Sequence, residues 1–301
     1  MHSIAMHIGV ALPTGIPQVE AGQVVPWARQ VEDGPFASIA VLDRLVYDSY
    51  EPLVALSAAA AVTSRVQLAT TILIAPLRNT TLLAKQLASI DRLSGGRLVV
   101  GVGIGARQDD YEITGVDTAR RGAKLADQLV DIPALFESGR LGLGTGPRSR
   151  PRFLTGGMSG AALSRMARHS DGYIHGGGPP RVFKRAADEA RAAWIDAGRP
   201  GVPAIWGQAY FAFGDAAKAG ADYVRDYYGF TGAFADKIAS GLLTTEQQAV
   251  EFMQAYAEAG CDHLVMLPGV ADRTQLDRLA DAVAEAGLGA DAAREAQGMA
   301  R

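Results

Sequence analysis

The sequence predicts an α/β chain folded as a closed (β/α)8 barrel, and three observations carry that expectation. Short β-branched or apolar runs alternate with longer helical patterns from one end to the other, an order that requires parallel strands joined by right-handed crossovers. About eight such pairs fill the chain, which suits a closed barrel better than an open, doubly wound sheet. No linker or break in composition divides it, so 1–290 reads as one domain followed by a C-terminal tail, 291–301.

The strands are expected where apolar or β-branched residues cluster in short runs. These are HIGVAL at 7–12, SIAVL at 38–42, VQLATTIL at 66–73, LVVGVGI at 98–104, RFLT at 152–155, GYI at 172–174, AIWGQAYFAF at 204–213 and HLVML at 263–267. Parallel strands buried on both faces read as near-continuous apolar stretches of this kind. Between them, helical patterns fall at 24–32, 51–64, 80–93, 118–137, 160–169, 180–197, 216–227 and 246–259, and 272–285 closes the series. In LSGGR, 93–97, a helix ends just before a strand, so its glycines are expected as helix C-caps.

Hydrophobic residues make up 48 % of the 301 and charged residues 20 %, the range of globular chains, and 35 glycines point to many tight connections. A net charge of −3 with scattered basic residues leaves no electrostatic footprint for nucleic acid. The single cysteine, Cys261, excludes an intramolecular disulfide and a multi-cysteine zinc site. It reads as a small buried apolar side chain at the start of a strand, in keeping with a reducing cytoplasm. MHSIAMHIGVAL lacks the positive flank and cleavage site of a secretory signal. The most apolar later run, 53–62, falls well short of the ~20 residues that cross a bilayer. A cytoplasmic protein without membrane or nucleic-acid partners is expected. His169 and His175 have no acidic companions, so no metal site is expected, and His2, His7 and His263 show no evident partners.

In such a barrel, chemistry sits on the loops that leave the carboxyl ends of the strands. That rule gathers Asp43-Arg44, 76–79, 105–110, 156–160, 175–178 and 208–210 around one pocket. The stretch RLVVGVGIGARQDD, 97–110, matches G-x-G-x-x-A on paper but closes the fourth strand instead of opening the first βα unit, so a dinucleotide fingerprint is set aside. Gly101, Gly103 and Gly105 share one face of that strand and leave a trough. The trough either relieves crowding between barrel layers or admits a flat object or another backbone. Trp206, Gln208 and Tyr210 also share a face, lining a cavity or forming a core stripe.

The segment AKQLASIDRLSGGRLVVGVGIG, 84–105, together with IGVALPTG, Leu42-Asp43, 71–79, DYEITG, LTGG and SDGYI, resembles the bacterial luciferase-like family of flavin- or deazaflavin-dependent oxidoreductases over most of the chain. The resemblance implies a TIM barrel that binds FMN or the 5-deazaflavin coenzyme F-420 at the carboxyl ends of its strands. It places a cofactor phosphate at Gly156, Gly157, Ser159 and Gly160, where a helix start offers bare amides and a partial positive charge. It sets the ring against the trough of Gly103, Gly105 and Ala106, with a non-prolyl cis peptide at Thr71-Ile72 behind it. Arg78 and Asn79 stand where family members contact the cofactor, or else cap the following helix. His175 and Gly176 leave the sixth strand near the expected phosphate or ring.

Two departures from the family pattern bear on chemistry. Where relatives place a histidine after the second strand this chain has Arg44, and the acid of the sugar-phosphate branch corresponds to Ala106. Arg44 stays protonated near neutrality, so it would orient a carboxylate, phosphate or carbonyl oxygen, unless it simply pairs with Asp43. His175 becomes the first candidate for acid/base work, its alternative being a hydrogen bond to a loop carbonyl. The expected catalytic set is therefore His175, Arg44 and Asp43. The expected activity is hydride transfer from reduced F-420 to a small organic substrate, or oxygenation of it. Two rivals stand beside it: an FMN-dependent monooxygenase served by a separate reductase, and a flavin-binding protein without turnover. Family members are commonly dimers, so a homodimer is expected, the alanine-rich face of 51–64 packing between subunits or on its own barrel.

Overall fold

The computed structural model describes residues 6–142 and 150–288; the expected tail at 291–301 and His2 lie outside the described residues. Eight strands pair in chain order, all parallel: β1 His7–Ala11, β2 Ser38–Val41, β3 Gln67–Ile74, β4 Leu98–Gly103, β5 Arg152–Gly156, β6 Gly172–Ile174, β7 Ala204–Phe211 and β8 His263–Pro268. β8 returns to β1 in the register His7 to His263, closing the expected barrel. Strand ends differ from the sequence expectation by no more than two residues. Gly95 caps the helix Thr80–Ser94 in a left-handed conformation with φ 73°, as the LSGGR turn requires.

Alternation along the strands separates two layers. Ala11, Ala40, Ala69, Val99, Leu154, Ile174, Trp206 and Val265, one residue from each strand, pack together as the barrel interior. Val10, Ile39, Leu68, Val100, Phe153, Tyr173, Ile205 and Leu264 point the other way and join helical residues such as Trp27, Leu56 and Leu87 in the outer layer. In this interior layer β1–β3 contribute three alanines and β5–β7 the larger Leu154, Ile174 and Trp206. Below it the His263 ring lies parallel to Trp206, with centroids 4.0 Å apart, and His263 Nε2 meets Ser38 Oγ at 2.7 Å.

Helix Pro52–Val62 buries Leu53, Ala55, Leu56, Ala59 and Ala60 against its own barrel, which accounts for its alanine-rich face. Two short helices, Gln108–Thr114 and Phe234–Ala239, were not expected, because neither offers two full turns of apolar periodicity. Cys261 is 4 % exposed at the foot of β8, and burial pushes its thiol up, so it stays an inert apolar group.

The face of β4 carrying Gly101 and Gly103 is filled by β3. A Cβ at Gly101 would lie 2.2 Å from the Thr70 carbonyl oxygen, and one at Gly103 would lie 2.0 Å from Ile72 Cδ1. Of the sequence alternatives, approach of another backbone is realised at Gly101, whereas at Gly103 the neighbour is the Ile72 side chain. Gly101→Ala is expected to cost about 1–3 kcal/mol or more, because the obstruction is backbone and cannot rotate away. Gly22→Ala, which meets nothing within 4 Å, should leave the urea midpoint unchanged; equal midpoints for the two variants would refute this reading of β4.

Candidate functional site

Around the carboxyl ends of the strands, the acids and bases suggested by the sequence are mostly committed to structure. Asp43, 6 % exposed at the exit of β2, accepts from both terminal nitrogens of Arg78 at 2.6 and 3.1 Å and from the Ile74 amide at 2.7 Å. Burial alone would pull the Arg78 guanidinium down, but Asp43 and Glu51 more than offset it and hold the charge. The expected Asp43–Arg44 pair is thus corrected: the partner of Asp43 is Arg78, from the loop after β3. A bidentate pair of this kind fixes β2 against β3 and leaves neither group free for proton transfer. Asn79 caps helix Thr80–Ser94 by accepting from the Leu82 amide at 3.0 Å.

Arg44 turns instead toward the long β7–β8 connection. It donates to the carbonyls of Tyr227 at 2.9 Å and Val46 at 3.1 Å, and its guanidinium stacks 3.8 Å from the Tyr47 centroid and 4.8 Å from that of Tyr227. Beside it Asp110, fully buried, accepts from the amides of Leu45 and Val46 at 3.1 and 2.7 Å. Arg107 packs over the Phe230 ring at 4.7 Å, and the Tyr47 hydroxyl donates to Asp226. These contacts strap the 223–230 segment across the β2 and β4 exits. Arg44 therefore holds a strap in place, which corrects the expectation that its guanidinium is free to orient substrate.

His175 is also redirected. It shares the outward parity of Tyr173, whose hydroxyl lies 3.2 Å from His175 Nδ1, and its ring meets Phe183 of helix Pro180–Asp196 edge-on at 5.8 Å. It is 2 % exposed, and burial depresses its basicity. Its Nε2 is buried without a hydrogen-bond partner, and His175 does not itself line the cavity beside Gly176–Pro180, so the ring faces the helical layer and not that cavity.

The cofactor-directed loops present a different picture. The Thr71-Ile72 bond is cis, inside an irregularity of β3 pairing between Thr70 and Leu73. Ile72, half-buried, sits between Gly103 and Gly156, where a Cβ would come 3.7 Å from its Cδ1, and offers an apolar platform. At the exit of β5, Gly157 has φ 118° and Ser159 caps helix Gly160–His169, accepting from the Ala162 amide at 3.2 Å. Gly157, Ser159 and Gly160 are exposed, and the first-turn amides of a helix have no intrahelical partner. Gly105 adopts φ 65° and Ala106 is exposed with no polar group to contribute. Gly176 opens onto space, and a Cβ placed there would meet nothing within 4 Å.

A cavity of about 700 Å³ adjoins this rim, bounded by Gly176–Pro180, by Gln208 and Tyr210 on β7, and by Tyr228 and Phe234 from the connection. Trp206 belongs to the core, so the stripe on β7 is core below and cavity wall above. The hydroxyls of Tyr210 and Tyr228 are 3.3 Å apart. Tyr47, Tyr223, Tyr227 and Tyr228 were absent from the sequence expectation, which held Arg107 and Asp110 only as part of the 105–110 loop and gave them no role. The signal was the spacing of Tyr223, Tyr227 and Tyr228 in DYVRDYYGF, where helical geometry gathers aromatics at the end of one helix.

Residues 6–264 match the sequence model of a family described as luciferase-like monooxygenase. The uncharacterized protein Rv0940c of Mycobacterium tuberculosis is 29 % identical over 210 residues, covering 58 % of this chain and 72 % of that protein. Among solved structures, an F-420-dependent secondary alcohol dehydrogenase in complex with an F-420-acetone adduct superposes with TM-score 0.77 at 17 % identity, over 93 % of this chain and 98 % of the other. The oxygenating constituent of 3,6-diketocamphane monooxygenase from Pseudomonas putida, in complex with FMN, does so at 0.72 and 15 %, over 94 % and 98 %.

Proposed function

Because the chain belongs to the luciferase-like monooxygenase family, we propose that it is an oxidoreductase that binds reduced F-420 across the barrel mouth and passes a hydride to a small organic substrate. The observation that carries this reading is the exposed helix start at the exit of β5, set beside the Ile72 platform, with Gly176 at the neighbouring β6 exit lining the cavity. The residues present fit such a cofactor. Gly156, Gly157 and Gly160 allow close approach of an anionic tail to backbone amides, with the helix dipole adding ~0.3–1 kcal/mol. Ser159 already accepts from Ala162, which leaves its hydroxyl proton to donate to a phosphate oxygen. Ile72 would back the ring of such a cofactor, and Gly176, where a Cβ would meet nothing within 4 Å, would leave room for it at the β6 exit.

F-420 is favoured over FMN on overall likeness to compact deazaflavin-dependent members of the family and on an Ala/Gly/Arg/Asp-rich composition, and the superposition with the secondary alcohol dehydrogenase supports it. With carbon in place of nitrogen at ring position five, the deazaflavin supplies hydride rather than activated oxygen. Fluorescence titration with both coenzymes tests the reading. Micromolar binding of F-420, at least about tenfold tighter than FMN and weakened by Gly160→Glu at the helix start, is expected. Preference for FMN would redirect the assignment to oxygenation with a separate reductase, and binding of neither would remove it.

A further inference from the structure

Reduction of a carbonyl needs a proton on oxygen as hydride reaches carbon, and the acids suggested by the sequence are engaged elsewhere. His175 faces the helical layer and Asp43 is locked by Arg78, while Asp110, which was not among those acids, is fully buried and holds the Leu45 and Val46 amides through Oδ1. Guanidinium groups release no proton near neutrality. What does line the cavity is a pair of phenols, Tyr210 and Tyr228, with hydroxyls 3.3 Å apart.

Their surroundings make them unequal. Burial raises Tyr210 well above the ordinary phenol range, and neighbouring tyrosines raise it further. Burial raises Tyr228 too, but the hydrogen bond it shares with Tyr210 and the positive charge of Arg44 oppose it. Arg44 is held for this by its bonds to the Tyr227 and Val46 carbonyls and its seat on the Tyr47 ring. Of the two hydroxyls, Tyr228 is the one whose anion is disfavoured less, and with Tyr228 half-buried and Tyr210 only 7 % exposed it is also the more accessible phenol.

We propose that Tyr228 is the acid of a carbonyl reduction in this cavity, donating its phenolic proton to the oxygen of a neutral ketone while Tyr210 and Arg44 stabilise the phenolate. The proposal rests on the reading that reduced F-420 occupies the mouth. The carbonyl carbon gains hydride from the reduced deazaflavin, the π pair collects on oxygen, and that oxygen takes the Tyr228 proton. The products are a secondary alcohol and oxidised deazaflavin, and water at the exposed rim near Ser240 returns a proton to Tyr228. A neutral, largely apolar frame fits because the wall is built from Phe234, Ile238, Leu242, Leu243, Phe252 and Leu267, and its charged members, Lys237 and Glu251, are exposed.

Cyclohexanone labelled with carbon-13 at the carbonyl serves as probe. Its infrared C=O stretch should shift to lower frequency in the ligand-free wild type and return toward the value in an apolar solvent in Tyr228→Phe. With reduced F-420, kcat for cyclohexanone should fall about 100-fold or more in Tyr228→Phe, the range of lost general-acid catalysis, while KM stays within about threefold. Tyr210→Phe should lower kcat about tenfold, as loss of one supporting hydrogen bond to a charged group predicts. Replacement of Tyr228 by 3,5-difluorotyrosine preserves the packing, and the stronger acid should deepen the infrared shift. An unshifted band in the wild type, or the same band and kcat in Tyr228→Phe, would overturn the proposal. So would a wild type that binds F-420 yet reduces no ketone. Failure of F-420 to bind would remove the cofactor reading instead, and the infrared arm would still decide whether Tyr228 holds a carbonyl.

Discussion

Asp43→Ala is expected to destabilise the fold by roughly 3–5 kcal/mol, the largest effect of any single polar substitution at the mouth. The carboxylate is 6 % exposed and satisfies three donors at once, two on Arg78 and the Ile74 amide. Its removal strands a guanidinium whose side chain is only 16 % exposed, together with a buried amide. Asp43→Asn keeps one acceptor for Ile74 but removes the charge, so an intermediate loss is expected. Arg78→Lys keeps the charge but cannot supply the two-pronged contact, so it too should destabilise. Because Ile74 closes the strand that carries Ile72, affinity for the proposed F-420 cofactor should decline in parallel with stability across the three variants if that proposal holds. The exposed Lys218–Asp222 pair provides the contrast: breaking it should not move the urea midpoint. A midpoint for Asp43→Ala equal to that of the Lys218 variant would show that the buried pair is not what joins β2 to β3.

The barrel was legible in the sequence because each parallel strand is covered on both faces and so reads as a dense apolar run, while each outer helix repeats at its own period. The cis bond at Thr71-Ile72 was placed by resemblance to the family, since nothing in the residues Thr-Thr-Ile reports a peptide geometry. Side-chain direction was less accessible. Parity puts Tyr173 and His175 on the same face of β6 and Ile174 on the other, but a three-residue strand apolar at every position does not say which face is inward. Asp43 stands next to Arg44 in sequence, yet adjacent residues at a strand exit diverge, and its partner lies 35 residues on, at the end of β3. The glycines of β4 were visible as a trough, but what fills it is an irregularity in β3 that no pattern within β4 encodes.

Acidification should weaken the protein through His263. This imidazole is 3 % exposed, stacked on Trp206 and bonded to Ser38, and a side chain at Gly9 would approach within 2.8 Å of its Nε2. Burial, with the charges of His7 and Arg152 adding to it, pushes its pKa down from 6.5 to about 3. The folded state therefore holds it neutral where the unfolded chain takes up a proton. Stability is complete above about pH 6.5 and falls by ~1.4 kcal/mol per unit below that, giving a loss of ~2 kcal/mol at about pH 5 and ~4 kcal/mol at about pH 3.5. His7, also depressed by burial, acts in the same direction. His263→Gln preserves an amide that can meet Ser38 but cannot titrate. Urea unfolding at about pH 7.5 and pH 5 should show the wild type losing ~2 kcal/mol more than this variant across the interval. Parallel losses in both proteins would mean that the acid sensitivity has its origin outside the barrel floor.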